Sequence, residues 1–208
     1  MVISICDNLC AGYRRLAHEG FPDEIDLFNQ LSYSVPHLLQ FIDAAENLRF
    51  GTAVLTFSNE LVGVAVTPHR ETKAYVLGIV VGCCHLDWQV SSMAQITNSL
   101  SQIFSVVERL VLQHNVHSQS SEEHNTVDRT EWRKLLGPFR NVKTFQVENR
   151  LFGDISRCLE LEDGELPLEL LPELQEFRYV GSLDNGNEFT SFIDTRRNAG
   201  RPVTLFRR

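Results

Sequence analysis

The stretches FSVVERLVL (Phe104–Leu112), FRNVKTFQV (Phe139–Val147) and LPELQEFRY (Leu171–Tyr179) share one pattern. Each is apolar at its first, fourth, seventh and ninth positions, and their starts lie 35 and 32 residues apart. Two apolar residues three apart suit the end of a helix or a tight turn packed on a core. Two apolar residues two apart suit one face of a β-strand. The chain is therefore predicted to leave a helix and enter a strand within a few residues, three times over. Recurrence at this spacing marks a stacked architecture, in which each unit buries the apolar face of its neighbour. If the strands run in one direction, each helix is a crossover connection.

Working outward, the segments between these strands read as helices. Val90, Met93, Ile96, Leu100, Ile103, Phe104 and Val107 form an apolar stripe on a helix of about 18 residues, with Asp87 as its N-cap. Glu131 to Leu136 is a shorter helix, capped at Asp128 or Thr130 and stopped by Gly137-Pro138. Leu166 to Leu171 is a weak helix fenced by Pro167 and Pro172. Phe189, Phe192 and Ile193 mark the last helix, which Gly200 and Pro202 terminate before a final strand at Val203–Leu205.

The first half follows the pattern less closely. His37 to Ala45 reads as a helix, and Thr52–Phe57, Val62–Val66 and Lys73–Cys83 as strands. The nearly continuous apolar run of the third suits burial on both faces. Ile79 and Val81 lie 31 residues before Leu110 and Leu112, which predicts that this strand keeps the period. Thr67 to Arg70 is a turn that joins a hairpin. Residues 116–127, Leu183 to Asn187 and the acidic turn Glu160 to Glu165 read as surface loops. The expected organisation is an irregular segment over 1–34, then one α/β domain over 35–208: a partial, irregular leucine-rich-repeat-like solenoid of parallel strands alternating with helices.

Composition bounds the function. The 208 residues are 43% hydrophobic and 22% charged, as expected of a globular chain. The net charge of -8 and the lack of any basic stripe beyond pairs such as Arg14-Arg15, Arg196-Arg197 and Arg207-Arg208 argue against nucleic acid. No apolar run approaches the ~18 residues that span a bilayer, so no membrane partner is expected. Five cysteines without regular spacing, the absence of an Asn-x-Ser/Thr acceptor and an N-terminus without a basic leader suit a cytoplasmic or nuclear protein.

Candidate chemistry is sparse. Neither a glycine-rich phosphate loop nor a Gly-x-Ser-x-Gly elbow occurs. Cys83-Cys84-His85 could serve a metal or a nucleophile, but neighbours on a strand point to opposite faces; they read as small residues closing a buried strand. His114, His117 and His124 read as a solvated loop, and Glu160, Glu162, Asp163 and Glu165 as a charged turn without calcium-loop spacing. Trp88 and Trp132 open helices and are predicted to pack on strands. No catalytic, cofactor or metal residue is assigned, and a non-enzymatic role is expected.

From about Asp87 to Arg208 the chain resembles the C-terminal leucine-rich-repeat region of F-box-type proteins of mushroom-forming (basidiomycete) fungi. The residues that carry the likeness are LDWQVSSMAQ (Leu86–Gln95), TEWRKLL (Thr130–Leu136), NVKT (Asn141–Thr144), LPLELLPELQ (Leu166–Gln175), FID (Phe192–Asp194) and NAGRPVT (Asn198–Thr204). A fainter likeness reaches back to VPHLLQFI (Val35–Ile42). The resemblance implies an N-terminal F-box docked on the Skp1 adaptor of a cullin ubiquitin ligase, and a repeat arc that holds the substrate. Phe21-Pro-Asp-Glu-Ile25 looks like an F-box opening, but the residues after Ile25 do not sustain it. The expectation is a protein-interaction module without a complete F-box. The alternatives are a substrate receptor with a divergent F-box, or a truncated gene product without a specific role. The alternate strand residues expected to meet a protein partner are Arg109, Val111 and Gln113; Thr144, Gln146 and Glu148; and Glu176, Arg178 and Val180.

Overall fold

The computed structural model describes residues 2–5, 50–68, 77–115, 127–162, 164–166, 168–180 and 189–207. Its strands are β1 (Val2–Ile5), β2 (Phe50–Ser58), β3 (Leu61–Pro68), β4 (Leu77–Gly82), β5 (Arg109–Asn115), β6 (Thr144–Glu148), β7 (Glu176–Val180) and β8 (Thr204–Arg207). The helices are α1 (Leu86–Ser99), α2 (Ser101–Phe104), α3 (Arg129–Leu136), α4 (Phe152–Leu159) and α5 (Thr190–Asn198). The strands form one open sheet in the order β1-β4-β3-β2-β5-β6-β7-β8. Among the described strands, only β3 runs against the rest. This is a mixed α/β fold with a mostly parallel sheet.

The sequence repeat reappears as strand register. Leu110, Phe145, Phe177 and Leu205 are consecutive partners across β5 to β8, and Leu112, Val147 and Tyr179 form the next row. On the other side the first row continues through Ala53, Val66 and Leu77, and the second through Leu55, Val64 and Ile79. Backbone bonds just ahead of the strands step across the sheet: Glu108 N–H to Gly51 O (3.1 Å), Lys143 N–H to Glu108 O (2.8 Å), Gln175 N–H to Lys143 O (2.9 Å) and Thr204 N–H to Gln175 O (2.8 Å).

The helices cover the face that carries these rows. Trp132 of α3 lies against Phe57 with ring centroids 5.6 Å apart, and Phe152 of α4 meets Tyr179 edge-on at 5.3 Å. Phe189, at the start of α5, contacts both Phe152 and Phe177 at 4.5 Å. All of these rings are buried. Tilted and edge-on pairs of this kind stabilise beyond the area they bury.

Neighbouring units are also joined through backbone carbonyls. The last carbonyls of a helix have no partner within it. In α3 those of Lys134 and Leu135 accept from Asn98 (3.0 Å) and Thr97 (3.4 Å) of α1. In α4 those of Arg157 and Cys158 accept from Arg129 (3.1 Å) and Arg133 (3.4 Å) of α3. Arg196 of α5 is wholly buried and donates to the carbonyls of Leu170, Pro172 and Leu174 ahead of β7. Burial lowers its pKa from the ordinary arginine value.

Several expectations are corrected. The helix predicted from Val90 to Val107 breaks at the buried Leu100, whose backbone leaves the helical region at φ -106°, ψ 28°, so that α1 and α2 are separate. Asp87 lies inside the first turn of α1, and His85 occupies the N-cap position without a side-chain bond. Leu166 to Leu171 supplies turns rather than a helix in its described residues. Pro172 disfavours helical backbone at the residue before it, and Leu171 takes φ +49°. The strand expected over Lys73–Cys83 is β4, and its part before Leu77 lies outside the described residues. The strand beside β5 is β2, not β4, and Ile79 stands in the row of Leu112 rather than that of Leu110. The inserted strand β3 displaces β4 from the succession, so equal spacing there does not mean adjacency. β1 lies within the 1–34 segment. The expected helix His37–Ala45, the Phe21–Ile25 motif, the loop at 183–187, and residues 69–70 and 116–126 lie outside the described residues.

Candidate interaction face

Strand alternation carries eight of the nine expected contact residues to the sheet face opposite the helices, and the ninth, Val180, is the register partner of Glu148. Two rows cross this face. Thr52, Arg109, Thr144, Glu176 and Thr204 form one, and Val54, Val111, Gln146, Arg178 and Phe206 the other. Arg109 donates from Nη2 to Gln146 Oε1 at 3.3 Å. Arg178 binds Glu176 Oε2 through Nε (3.2 Å) and Nη2 (2.6 Å), and its guanidinium lies 5.6 Å from the centre of the Phe206 ring. Glu148 accepts the backbone N–H of His114 at 3.1 Å. The long side chains are thus held by neighbours on the same face, which lowers the entropy lost when a partner orders them.

Two of the expected contact residues lie deep in this face. Val111 and Gln146 are only 5% and 6% exposed, so they offer a partner little surface. Sequence reading missed Thr52, Val54 and Thr56 of β2, and Thr204 and Phe206 of β8. The alternation within VTLFR (Val203–Arg207) was the available signal: Leu205 faces the helices, and Phe206 is 43% exposed on the other side.

The remaining clusters resolve differently. Cys83 and Cys84 follow the end of β4 instead of closing a buried strand; Cys83 is half-buried and Cys84 exposed. The His85 ring meets Trp88 edge-on at 5.9 Å. His114 lies in β5, while His117 and His124 are outside the described residues. The acidic turn is an ion network. Arg129 reaches Glu165 (2.9 Å from Nη1) and Glu162 (3.3 Å), and Arg133 reaches Glu165 (3.3 Å) and Glu169 (2.9 Å). The Arg129 hydrogen bond, then the Glu162 N–H, hold the Glu165 carboxyl down at about 2. A groove of about 560 Å³ lies beside this network, lined by Asp128, Arg129, Asp154, Arg157, Glu160 and Glu162 among others. Its two cations are already engaged, Arg129 by Glu162 and Arg157 by Asp154. Among the described residues no three His, Cys, Asp or Glu side chains converge as metal ligands, and no helix is long and apolar enough to cross a membrane.

Comparison of the chain with protein-family profiles, with curated proteins and with solved structures returned no match.

Proposed function

We propose that this chain is a non-catalytic protein-interaction module that presents the face of its parallel strands opposite the described helices to a partner, in the manner of a leucine-rich-repeat arc. The observation that carries the reading is the pair of rows through β2 and β5 to β8. They put the Arg109 and Arg178 guanidiniums, the Glu176 carboxylate and the exposed Phe206 ring on one side of the sheet, while the described helices occupy the other. Arginine and aromatic side chains fixed by neighbours are the groups that dominate binding energy at protein interfaces. The register of β5 to β8 and the unit-to-unit carbonyl contacts support the solenoid reading, because each unit is completed by the next. The fungal F-box resemblance gives this face the role of substrate recognition for a ubiquitin ligase.

Affinity enrichment from lysate, with quantitative mass spectrometry, tests the reading. Three baits are compared: the native chain, the variant Arg109→Ala/Arg178→Ala/Phe206→Ala, and a helix-side variant Gln102→Ala/Arg140→Ala/Arg197→Ala. A partner should fall about tenfold or more with the first variant and stay with the second. A partner kept by the face variant and lost by the helix-side variant would refute the assignment. Skp1 is included as a defined candidate; its co-elution with both native and face-variant chains would locate adaptor docking away from the sheet.

A further inference from the structure

Cys83 and Cys84 sit where β4 has ended and α1 has not begun, so strand alternation no longer sends their side chains to opposite faces. Cys84 is exposed and Cys83 is half-buried, with its Sγ 3.8 Å from the carbonyl oxygen of His85. The 14-residue helix α1 starts at Leu86, and the positive end of its dipole favours a thiolate in front of it. The backbone of Cys83 is held on both sides. Its N–H donates to Glu60 O at 2.9 Å, and its carbonyl accepts from Gln89 Nε2 at 2.6 Å. That same Nε2 donates to Ser58 O, also at 2.6 Å. Gln89 is 1% exposed, and its Oε1 has no hydrogen-bond partner among the described residues. One buried amide therefore ties the end of β2, the end of β4 and the first turn of α1 together, and it does so through the carbonyl of a cysteine that has a second cysteine next to it.

We propose that Cys83 and Cys84 form a reversible redox-modification site, oxidised by a peroxide to a disulfide between adjacent residues. The Cys84 thiolate attacks one peroxide oxygen, giving a sulfenic acid and releasing water. The Cys83 thiol then attacks the sulfenic sulfur, forms the S–S bond and expels a second water. The two thiols lose two electrons and two protons, and the peroxide is reduced to water. Adjacent Cα atoms are about 3.8 Å apart, closer than disulfides ordinarily allow, so the bond is strained and readily reduced again by cellular thiols. The peptide unit between the two cysteines belongs to the new ring. Closing that ring reorients the Cys83 carbonyl and withdraws it from Gln89, which leaves this amide tied to the sheet through Ser58 O alone and loosens the first turn of α1.

The test treats the full-length reduced protein with hydrogen peroxide, followed by intact and peptide mass spectrometry and by hydrogen exchange. The expected product has lost one pair of hydrogen atoms, mapped to the peptide holding Cys83 and Cys84 and restored by dithiothreitol. Cys84→Ser, at an exposed position, should abolish that loss while keeping the fold. The amides of Gln89 and Val90 should exchange faster in the oxidised protein. A stable sulfinic acid on Cys84, a cross-link to Cys6 or Cys10, or an unmodified pair would each overturn the proposal. So would unchanged exchange at Gln89 in the oxidised protein.

Discussion

Replacing Phe177 and Phe206 separately by alanine tests which side of the sheet each residue faces, on which the whole candidate face depends. Phe177 is fully buried and contacts Phe145 at 5.5 Å and Phe189 at 4.5 Å. Burying a phenylalanine contributes about 1.5–3 kcal/mol, and two ring pairs add about 0.5–1.5 kcal/mol each. With a residual cavity, Phe177→Ala should cost about 3–5 kcal/mol. Phe206 is 43% exposed and has the Arg178 guanidinium over its ring. Its loss should cost no more than about 1 kcal/mol. In urea unfolding followed by circular dichroism, with a slope of about 3 kcal/mol per molar, the Phe177 variant should unfold roughly 1–1.7 M earlier than the native chain. The Phe206 variant should move by less than about 0.4 M. A one-residue slip in register exchanges the two faces. Equal shifts, or a larger shift for Phe206, would therefore refute both the register and the assignment of the face.

Glu165→Gln should destabilise the protein near neutral pH and converge with the native chain in acid. The folded carboxyl sits at about 2 against an ordinary 4.5, so its contribution is present above about 4.5 and is lost as pH falls through 2. Thermal melts across that range check it, and a constant difference between the two proteins would refute the Arg129 link. Burial pushes the Cys158 thiol up to about 12, so iodoacetamide at mildly alkaline pH should label Cys158 only after unfolding, as peptide mapping will show. Gly200 holds φ +76° with open space around the position of a Cβ. Gly200→Ala should lower stability by about 1–2 kcal/mol through backbone strain alone, and an unchanged melting temperature would show that the turn after α5 relaxes.

Local signals account for the part of the fold that was legible in the sequence. The apolar pairs Leu110/Leu112, Phe145/Val147 and Phe177/Tyr179 gave three strands and their neighbours, because adjacent units bury the same positions in the same register. Of the two caps that the spacing predicts, Asp128 and Thr130, Asp128 takes the position, and its carboxylate accepts the Thr130 N–H at 2.8 Å. Helix α4 was missed although Leu151, Phe152, Ile155, Cys158 and Leu159 follow helical spacing; the stripe is short and runs straight into the acidic turn. The break at Leu100 carries no proline or glycine signal, since tertiary packing of Leu100 decides it. The pairing of β2 with β5 is separated by 57 residues at Ala53 and Leu110, and no local pattern announces a contact over that distance. Burial of Val111 and Gln146 was likewise invisible, because alternation tells which face a residue takes and not how deep it lies.

The two ends of the described chain lie in the two edge strands, β1 and β8. A sheet laid out in this way has a mechanical grain. Tension applied through Arg207 loads the bonds between β8 and β7 one after another instead of all together, and β8 is only four residues long. Once it has peeled away, β7 becomes the new edge and the same process repeats on the next unit. A molecular motor that draws the chain in from this side would work against one strand at a time, and the force it needs at each step would be set by the unit then at the edge and not by the whole fold.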